Sequence, residues 1–483
     1  MSSIVRGRVS TLLHKRWGLP TVYLVVCGLS LTLPTFLPNF TLGILVVTLF
    51  AAFAMVMRWN EQTVLGLLLA AGFLIPTSLS IEALGQVGIP SMLIGLLLLL
   101  LWLYGRCTPE LGLDSGPQPV RYMALYIMIA LFASYIAGQL RGMSSLEASG
   151  ADATMIFVAS SLGMLLFTAD TIKDMTGVRR LLGWLVGLGV ILSVTGMLQN
   201  FQVIDIYRDL RIPGMKYFDP IGLESLAREG YLRVQGLAGH PIEFSVVLGM
   251  LLPIALHFAL HSPREQRLRW WAAVAVIGAG LPMALSRSGI LAAGVSLIIY
   301  LLATRVRVLA TLVPIGLVGV LGMSLVFPGL LGSIRNLFLF GYIANDTSIS
   351  SRTDDYAIAL KLWADYPVFG TGPGTYIPKL YRILDNGYLY YLITQGVFGL
   401  LGLVGLFACG YFLVRRIEWT TKDPHMRDLA QALAGSIAGA ALVTATFDSF
   451  GFNIMFVTTH FLVGIAGVMW RVSIRDRDKV PLQ

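Results

Sequence analysis

Residues 269–305 read RWWAAVAVIGAGLPMALSRSGILAAGVSLIIYLLATR. Two apolar runs, 271–285 and 288–303, are bracketed by arginines and meet at one charged turn, Ser286-Arg287-Ser288. If Arg269 and Arg305 lie on the same side of a bilayer, the 35 residues between them must cross it twice. Each crossing then has about 17 residues, or roughly 25 Å of helix, against a hydrocarbon core of about 30 Å. No slack remains at the turn, so the Arg287 guanidinium belongs at or slightly below the far membrane face. Barrel strands would show short segments of alternating polarity, and this stretch has none. The fold class is all-α, embedded in a membrane.

The same pattern extends in both directions. Apolar runs fall at about 21–38, 41–57, 63–80, 88–105, 121–138, 153–168, 181–199 and 241–260, and again at 309–327, 387–413, 430–447 and 453–470. Together with the central pair they predict a polytopic protein of about 12–14 transmembrane helices, a single membrane domain over residues 1–483. The composition agrees: 56% of residues are hydrophobic and 13% charged. Arg6, Arg8, Lys15 and Arg16 precede the first run, and Pro34 and Pro38 stand where a cleavage site would need small residues. This reads as an uncleaved first span with a cytoplasmic N-terminus.

Charge supplies an orientation. Starting inside, 23 of the 35 Lys and Arg fall in cytoplasmic segments. Of the other 12, ten lie in two long loops, residues 200–239 and 328–385, where the positive-inside bias is weak. Both termini are thus expected in the cytoplasm and both long loops on the outer side of the membrane. The net charge of +9 is spread over loop after loop, so membrane topology accounts for it better than a nucleic-acid stripe. Cys27, Cys107 and Cys409 form no disulfide framework and no metal-ligand spacing.

Long loops in a compact membrane domain are usually functional. In the first, segments such as 221–230 are expected as a short helix. In the second, Ala357, Leu360, Leu362 and Trp363 sit at helical spacing after Ser350 and Ser351, which are placed to cap the helix start. Pro367 should end that helix, and Gly370, Gly372 and Gly374 should make a tight turn.

Arg233, Arg287 and Arg352 stand on the outer side, where anchoring cations are otherwise scarce. A guanidinium held at headgroup depth matches phosphate oxygens bidentately, and the helix start after Ser288 adds backbone N–H groups that favour an anion. A lipid diphosphate fits this pattern; anchoring to ordinary phospholipid is the alternative. Asp385-Asn386-Gly387-Tyr388 marks the end of the second loop, where Asp385 is either a helix cap or a general base for a sugar hydroxyl. Tyr376, Tyr388 and Trp363 are candidates for stacking on sugar faces. His240 and Glu243 begin the next span after the first loop, His240-Pro241 reading as a structural helix entrance or a substrate contact. His257 and His460 read as packed residues with satisfied hydrogen bonds. Phosphate-loop, HExxH, EF-hand and CxxC motifs do not occur, so neither a cofactor nor a metal is expected for the reaction.

Three segments in order resemble the Wzy_C superfamily of O-antigen ligases, O-antigen and exopolysaccharide polymerases and some protein glycosyl transferases. They are LRVQGLAGHPIEFSVVLGMLLPIAL with Arg233, ALSRSGILAAGVSLIIYL with Arg287, and SRTDDYAIALKLWADYPVFGTGPGTY followed by LDNGYLYYLITQGVFGLLGL. The resemblance covers about residues 230–415. It implies a donor glycan on undecaprenyl diphosphate, with Arg233, Arg287 and Arg352 gripping the diphosphate and no nucleotide or metal involved. It also implies inversion at the anomeric carbon. The acceptor would be a lipid-linked or lipid A-core glycan, and a chain-length regulator is a possible partner. Ligases of the family typically carry His-Asn where this chain has Asp385-Asn386, which is more like the polymerases of capsule or exopolysaccharide repeats. The leading expectation is therefore a polymerase, the nearest rival a ligase. A lipid-linked oligosaccharide flippase, which would show internal symmetry and charges along a central path, is the rival from another class, and a non-catalytic scaffold is a third.

Overall fold

The computed structural model describes residues 61–107, 116–210, 214–217, 227–228, 231–302, 347–378 and 383–478, with single positions between them. Each expected apolar run within those residues contains a helix, although the run at 63–80 ends in a short strand and the run at 271–285 in a 3-10 turn. In order these are α1 (Glu61–Leu74), α2 (Pro90–Cys107), α3 (Pro119–Arg141), α4 (Ser145–Thr171), α5 (Met175–Asn200), the short α6 (Ile206–Asp209), α7 (Pro241–His261), α8 (Arg264–Gly280) and α9 (Arg287–Leu302). They continue with α10 (Thr347–Asp365) in the second long loop, then α11 (Gly387–Thr420), α12 (Pro424–Val443) and α13 (Asn453–Asp478). Among the described residues seven helices are long and apolar enough to cross a membrane, and α1 and α9 are shorter apolar helices. The chain is an all-α, multi-pass membrane protein. The runs at 21–38 and 41–57, and nearly all of 309–327, lie outside the described residues.

Two helices form the centre. The apolar stretch of α7 is 89% buried and that of α13 is 94%, whereas α3 is only 28% buried and presents Leu125, Ile129, Phe132 and Ile136 outward. Helices α8, α9 and α12 pack around α7, while α4 and α11 pack on α13. Between hydrocarbon-soluble helices, association relies on close backbone approach. A Cβ added at Gly435 would overlap the Ser296 carbonyl, and one at Gly249 would press on the Ala293 backbone at 2.8 Å. Small residues thus let α9 lie against both α7 and α12.

The first long loop holds strands where a helix was expected. Strand β2 (Met215–Tyr217) pairs antiparallel with β1 (Leu79–Ile81), Leu79 opposite Tyr217, and ties the loop to the α1–α2 connection. Strands β3 (Ala227–Arg228) and β4 (Tyr231–Leu232) pair across two residues, Glu229-Gly230. This pairing corrects the helical reading of 221–230 at residues 227–228; residues 221–226, 229 and 230 lie outside the described residues. In the second loop α10 is where the periodicity put it, and it ends at Asp365, two residues before Pro367. It starts at Thr347, however, so Ser350 and Ser351 lie inside it rather than at its cap.

Helix α11 is broken at Gly396, whose φ of 65° and ψ of −164° are open to glycine alone. The turn after α10 fills that break. Val397 and Phe398 donate their amides to the Pro367 and Val368 carbonyls, while Thr371 and Gly372 donate theirs to Ile393 and Thr394. Irregular backbone at membrane depth survives only where such groups are satisfied. Gly370, Gly372 and Gly374 all have positive φ, of 71°, 115° and 69°, and Cβ atoms at Gly370 and Gly374 would collide with the backbone of α11 and α4.

Candidate active site at one end of the bundle

The starts of α7, α9, α11 and α13 and the turn after α12 meet at one end of the bundle. Ser286 caps α9: its Oγ accepts the Gly289 amide at 3.3 Å and its carbonyl accepts the Ile290 amide at 3.2 Å. Arg287 is therefore the first residue of α9, at the positive end of the helix dipole. Just before it Leu285 adopts a left-handed conformation, φ 46° and ψ 47°, although it is not glycine. Such strain, about 1–2 kcal/mol, persists only where the surroundings enforce it. Those surroundings include Arg233, which is 9% exposed and donates Nε–H to the Ala284 carbonyl at 3.1 Å. Arg233 and the turn bearing Arg287 are thereby brought together.

A second link runs from this turn to the start of α11. Thr446 Oγ1 bonds Ser288 Oγ at 2.9 Å, and the Gly387 amide reaches the Thr444 and Phe447 carbonyls at 2.8 and 3.2 Å. The residues 444–447 thus bridge the Arg287 turn and the Asp385-Asn386-Gly387 segment. Asn386, not Asp385, is the cap of α11. Its Oδ1 accepts the amides of Tyr388 and Leu389 at 3.0 and 3.2 Å, and its Nδ2 donates to the Tyr356 hydroxyl at 3.2 Å. Of the two alternatives read from sequence, capping therefore falls to the neighbour, and the Asp385 carboxyl stands one residue outside the helix. The Asp385 amide donates to Oδ2 of Asp355, a buried carboxyl of α10, at 3.4 Å. Arg352 falls in the second turn of α10, one turn before Asp355.

Residues 240 and 243 are occupied in structure. His240 caps α7, its Nδ1 accepting the Ile242 amide at 3.1 Å, with its ring 5.7 Å from that of Phe452. Burial, with the Arg233 charge added, pushes this imidazole down to about 4, so it is neutral near pH 7. Fully buried Glu243 accepts the Gly239 amide at 2.7 Å and the Ile454 and Met455 amides at 2.6 and 3.2 Å, so it caps α13 from a different helix.

The aromatic candidates divide. Tyr376 is 3% exposed, stacked on Tyr381 at 5.1 Å and edge-on to Tyr390 at 6.3 Å, so its ring belongs to a small core under the second loop rather than to an open sugar-binding face. Trp363 is half-buried and donates Nε1–H to the Pro367 carbonyl at 3.0 Å, which helps stop α10. Tyr388 gives its hydroxyl to the Ala441 carbonyl at 2.6 Å and lies at the head of a cavity of about 440 Å³. That cavity runs between α11 and α12, lined by Phe407, Tyr411, Ile437, Ala441 and Ala445 among others, and is almost wholly apolar. Elsewhere His460 is buried with Nδ1 at 2.9 Å from the Phe456 carbonyl, and His257 is bonded to Asp428.

Sequence reasoning missed Asp355 and the break at Gly396. In sequence nothing separates Asp355 from Asp354, Lys361 and Asp365 on the same helix. The break was signalled only by Gln395-Gly396 within an otherwise apolar run.

An α-helical membrane protein with arginines and a carboxylate segment gathered at one end of its bundle defines the class. Residues 272–404 match the Wzy_C family model, described as O-antigen ligase, and this match supports placing the chain in the O-antigen ligase/polymerase superfamily. The matched span runs from α8 through the Arg287 turn and α10 to the middle of α11, and so contains Arg287, Arg352, Asp385 and Asn386. No curated protein matches the chain.

Proposed function

We propose that this protein transfers a glycan from a lipid diphosphate to a sugar acceptor at the periplasmic face of a bacterial inner membrane, polymerising repeat units of O-antigen or exopolysaccharide. The observation that carries this reading is the linkage of the Arg287 turn to Arg233 through Ala284 and to the Asp385-Asn386 segment through Ser288, Thr446 and Gly387. An anion-binding guanidinium and a candidate base thus share one end of the bundle. The apolar cavity headed by Tyr388 lies next to them and suits the hydrocarbon chain of a lipid carrier.

The chemistry is one displacement. The acceptor hydroxyl oxygen bonds to the donor's anomeric carbon as the bond from that carbon to the diphosphate oxygen breaks, inverting the centre. The electron pair leaves with the diphosphate, whose growing charge Arg287, Arg233 and Arg352 neutralise. Asp385 takes the hydroxyl proton. No step requires a metal or nucleotide. The donor is undecaprenyl diphosphate-linked glycan and the acceptor a second lipid-linked glycan.

The family description favours a second reading, a ligase delivering finished chains to lipid A-core or to a protein. Both readings share the donor and the site. A glycan profile of a deletion strain separates them: single-repeat glycans accumulate if the protein polymerises, and long chains remain on the carrier lipid if it ligates. Unchanged lipid-linked and surface glycans would refute both.

A further inference from the structure

The opposite end of α7 carries a second polar cluster. His257 and His261 are four residues apart on one face of α7, and His425 and Asp428 are three apart on one face of α12. Three of the chain's six histidines therefore meet where these helices pack. His257 Nδ1 lies 2.6 Å and His261 Nδ1 3.2 Å from Asp428 Oδ2. The two α7 imidazoles are stacked at 5.0 Å, and the His425 ring stands edge-on to His261 at 5.3 Å. One ligand atom from each of His257, His261 and Asp428 falls within 4.8 Å of the others.

We infer that His257, His261 and Asp428 bind a first-row divalent metal ion of the zinc class, which leaves a fourth position for water. Zinc takes imidazole nitrogen and carboxylate oxygen at about 2.0–2.2 Å in a tetrahedron, which puts neighbouring ligand atoms roughly 3.3 Å apart. The two spacings to Asp428 lie at or below that value and all three ligand atoms fall within 4.8 Å of one another, so small side-chain rotations that open the contacts complete the site. The protons now shared between imidazole and carboxylate are what the ion displaces on binding. A supporting bond is also present: Tyr300 donates its hydroxyl to Asp428 Oδ2 at 3.0 Å. Such outer contacts fix ligand orientation in metal sites. The His257 side chain is 3% exposed and that of His261 29%, so the site has a deep ligand and an open side through which an ion arrives.

The ion's identity follows from ligand type and local field. Magnesium and calcium require mostly oxygen ligands, whereas imidazole suits zinc, copper and nickel. Asp428 is the larger charge acting on His257 and His261, with Arg179 and Arg267 opposing it more weakly. His257 is 17 residues along α7 from His240, about 25 Å of helix. The ion is therefore a staple between α7 and α12, remote from the candidate active site, and the inference does not rest on the glycan-transfer reading.

Full-length protein in detergent, with its affinity tag removed and metal stripped by a chelator, is equilibrated with zinc chloride and desalted. Bound zinc is counted by mass spectrometry and Tm is measured with and without the metal. One zinc per chain and a higher Tm are expected, and cobalt(II) in its place should give the strong visible absorption of a tetrahedral site. His261→Gln, at a half-exposed position, and Asp428→Asn, which keeps the Tyr300 bond, should each lower zinc retention at least tenfold. Zinc well below one per chain in the parent protein, or retention in either variant equal to that of the parent, overturns the inference.

Discussion

Exchanging the roles of two adjacent residues tests the active-site geometry most sharply. Asn386 caps α11 through two backbone amides, and Leu389, which supplies one of them, is 7% exposed. Removing a cap costs about 0.5–2 kcal/mol, and burial puts this one at the upper end. Losing the bond to the Tyr356 hydroxyl adds about 1 kcal/mol. Asn386→Ala should therefore destabilise the protein by about 2–3 kcal/mol, while Asn386→Asp, which still caps, should lose much less. Asp385→Asn is expected to behave in the opposite way. Its side chain is not the cap, its amide bond to Asp355 is unaffected by the substitution, and asparagine keeps its size and one acceptor oxygen, so stability should change by less than in Asn386→Ala. Transfer should nevertheless fall about 10²–10⁴-fold, a barrier increase of about 3–5 kcal/mol. The assay pairs thermal unfolding in detergent with glycan transfer from purified lipid-linked donor. If Asp385→Asn transfers within threefold of the parent protein, Asp385 is not the base. If it unfolds as readily as Asn386→Ala, its side chain is structural.

Arg287→Ala should cut transfer at least 100-fold while leaving membrane insertion and Tm near those of the parent, since it removes charge stabilisation at the leaving group; full activity would remove the diphosphate-binding role. His240 has a folded-state value near 4 against an ordinary value of about 6.5, so the unfolded chain binds the extra proton between those limits. Its contribution is present above about pH 6.5 and is lost as pH falls toward 4, by about 3 kcal/mol, so Tm should drop over that window and drop less in His240→Asn, which retains a capping oxygen. An equal slope in both proteins would assign the pH dependence to other groups. Gly374→Ala should lower Tm markedly, because φ of 69° is strained for alanine and its Cβ meets the Gly150 carbonyl and Thr154 of α4; an unchanged Tm would mean that the turn is free to shift away from α4.

The helices were legible because apolar run length is set by the bilayer and needs no tertiary information. The same holds for the end of α10 at Asp365 and for the glycine turn, where Pro367 and three glycines punctuate the backbone locally. The start of α10 was misjudged because Ser350 and Ser351 are good caps that tertiary structure did not use. At the site, the identity of the cap could not be read from Asp385-Asn386: both residues cap well, and the choice depends on α11 beginning at Gly387, whose amide is held by Thr444 and Phe447, about 60 residues away in sequence. Glu243 is hidden for the same reason. It looks like the acidic first turn of its own helix, yet its carboxylate accepts two amides of α13.

These long-range caps bear on how the site is built. Glu243 joins the starts of α7 and α13, Thr446 joins α9 to the turn after α12, and Gly387 joins α11 to that same turn. The Glu243 and Gly387 bonds satisfy helix-end amides that the membrane leaves without water, so they are needed for stability whatever the protein does. Their effect is to lock four helix N-termini around Arg287 and Asp385. Aligned N-termini create positive potential where an anionic headgroup would sit. The strained Leu285 beside Arg287 fits this picture. Gln or Ala replacements at Glu243 should therefore loosen the whole end of the bundle and reduce transfer together with Tm, whereas Arg287→Ala should reduce transfer alone. Finding that Glu243→Ala lowers Tm but leaves transfer intact at permissive temperature would show that the helix ends do not set the geometry of the reaction.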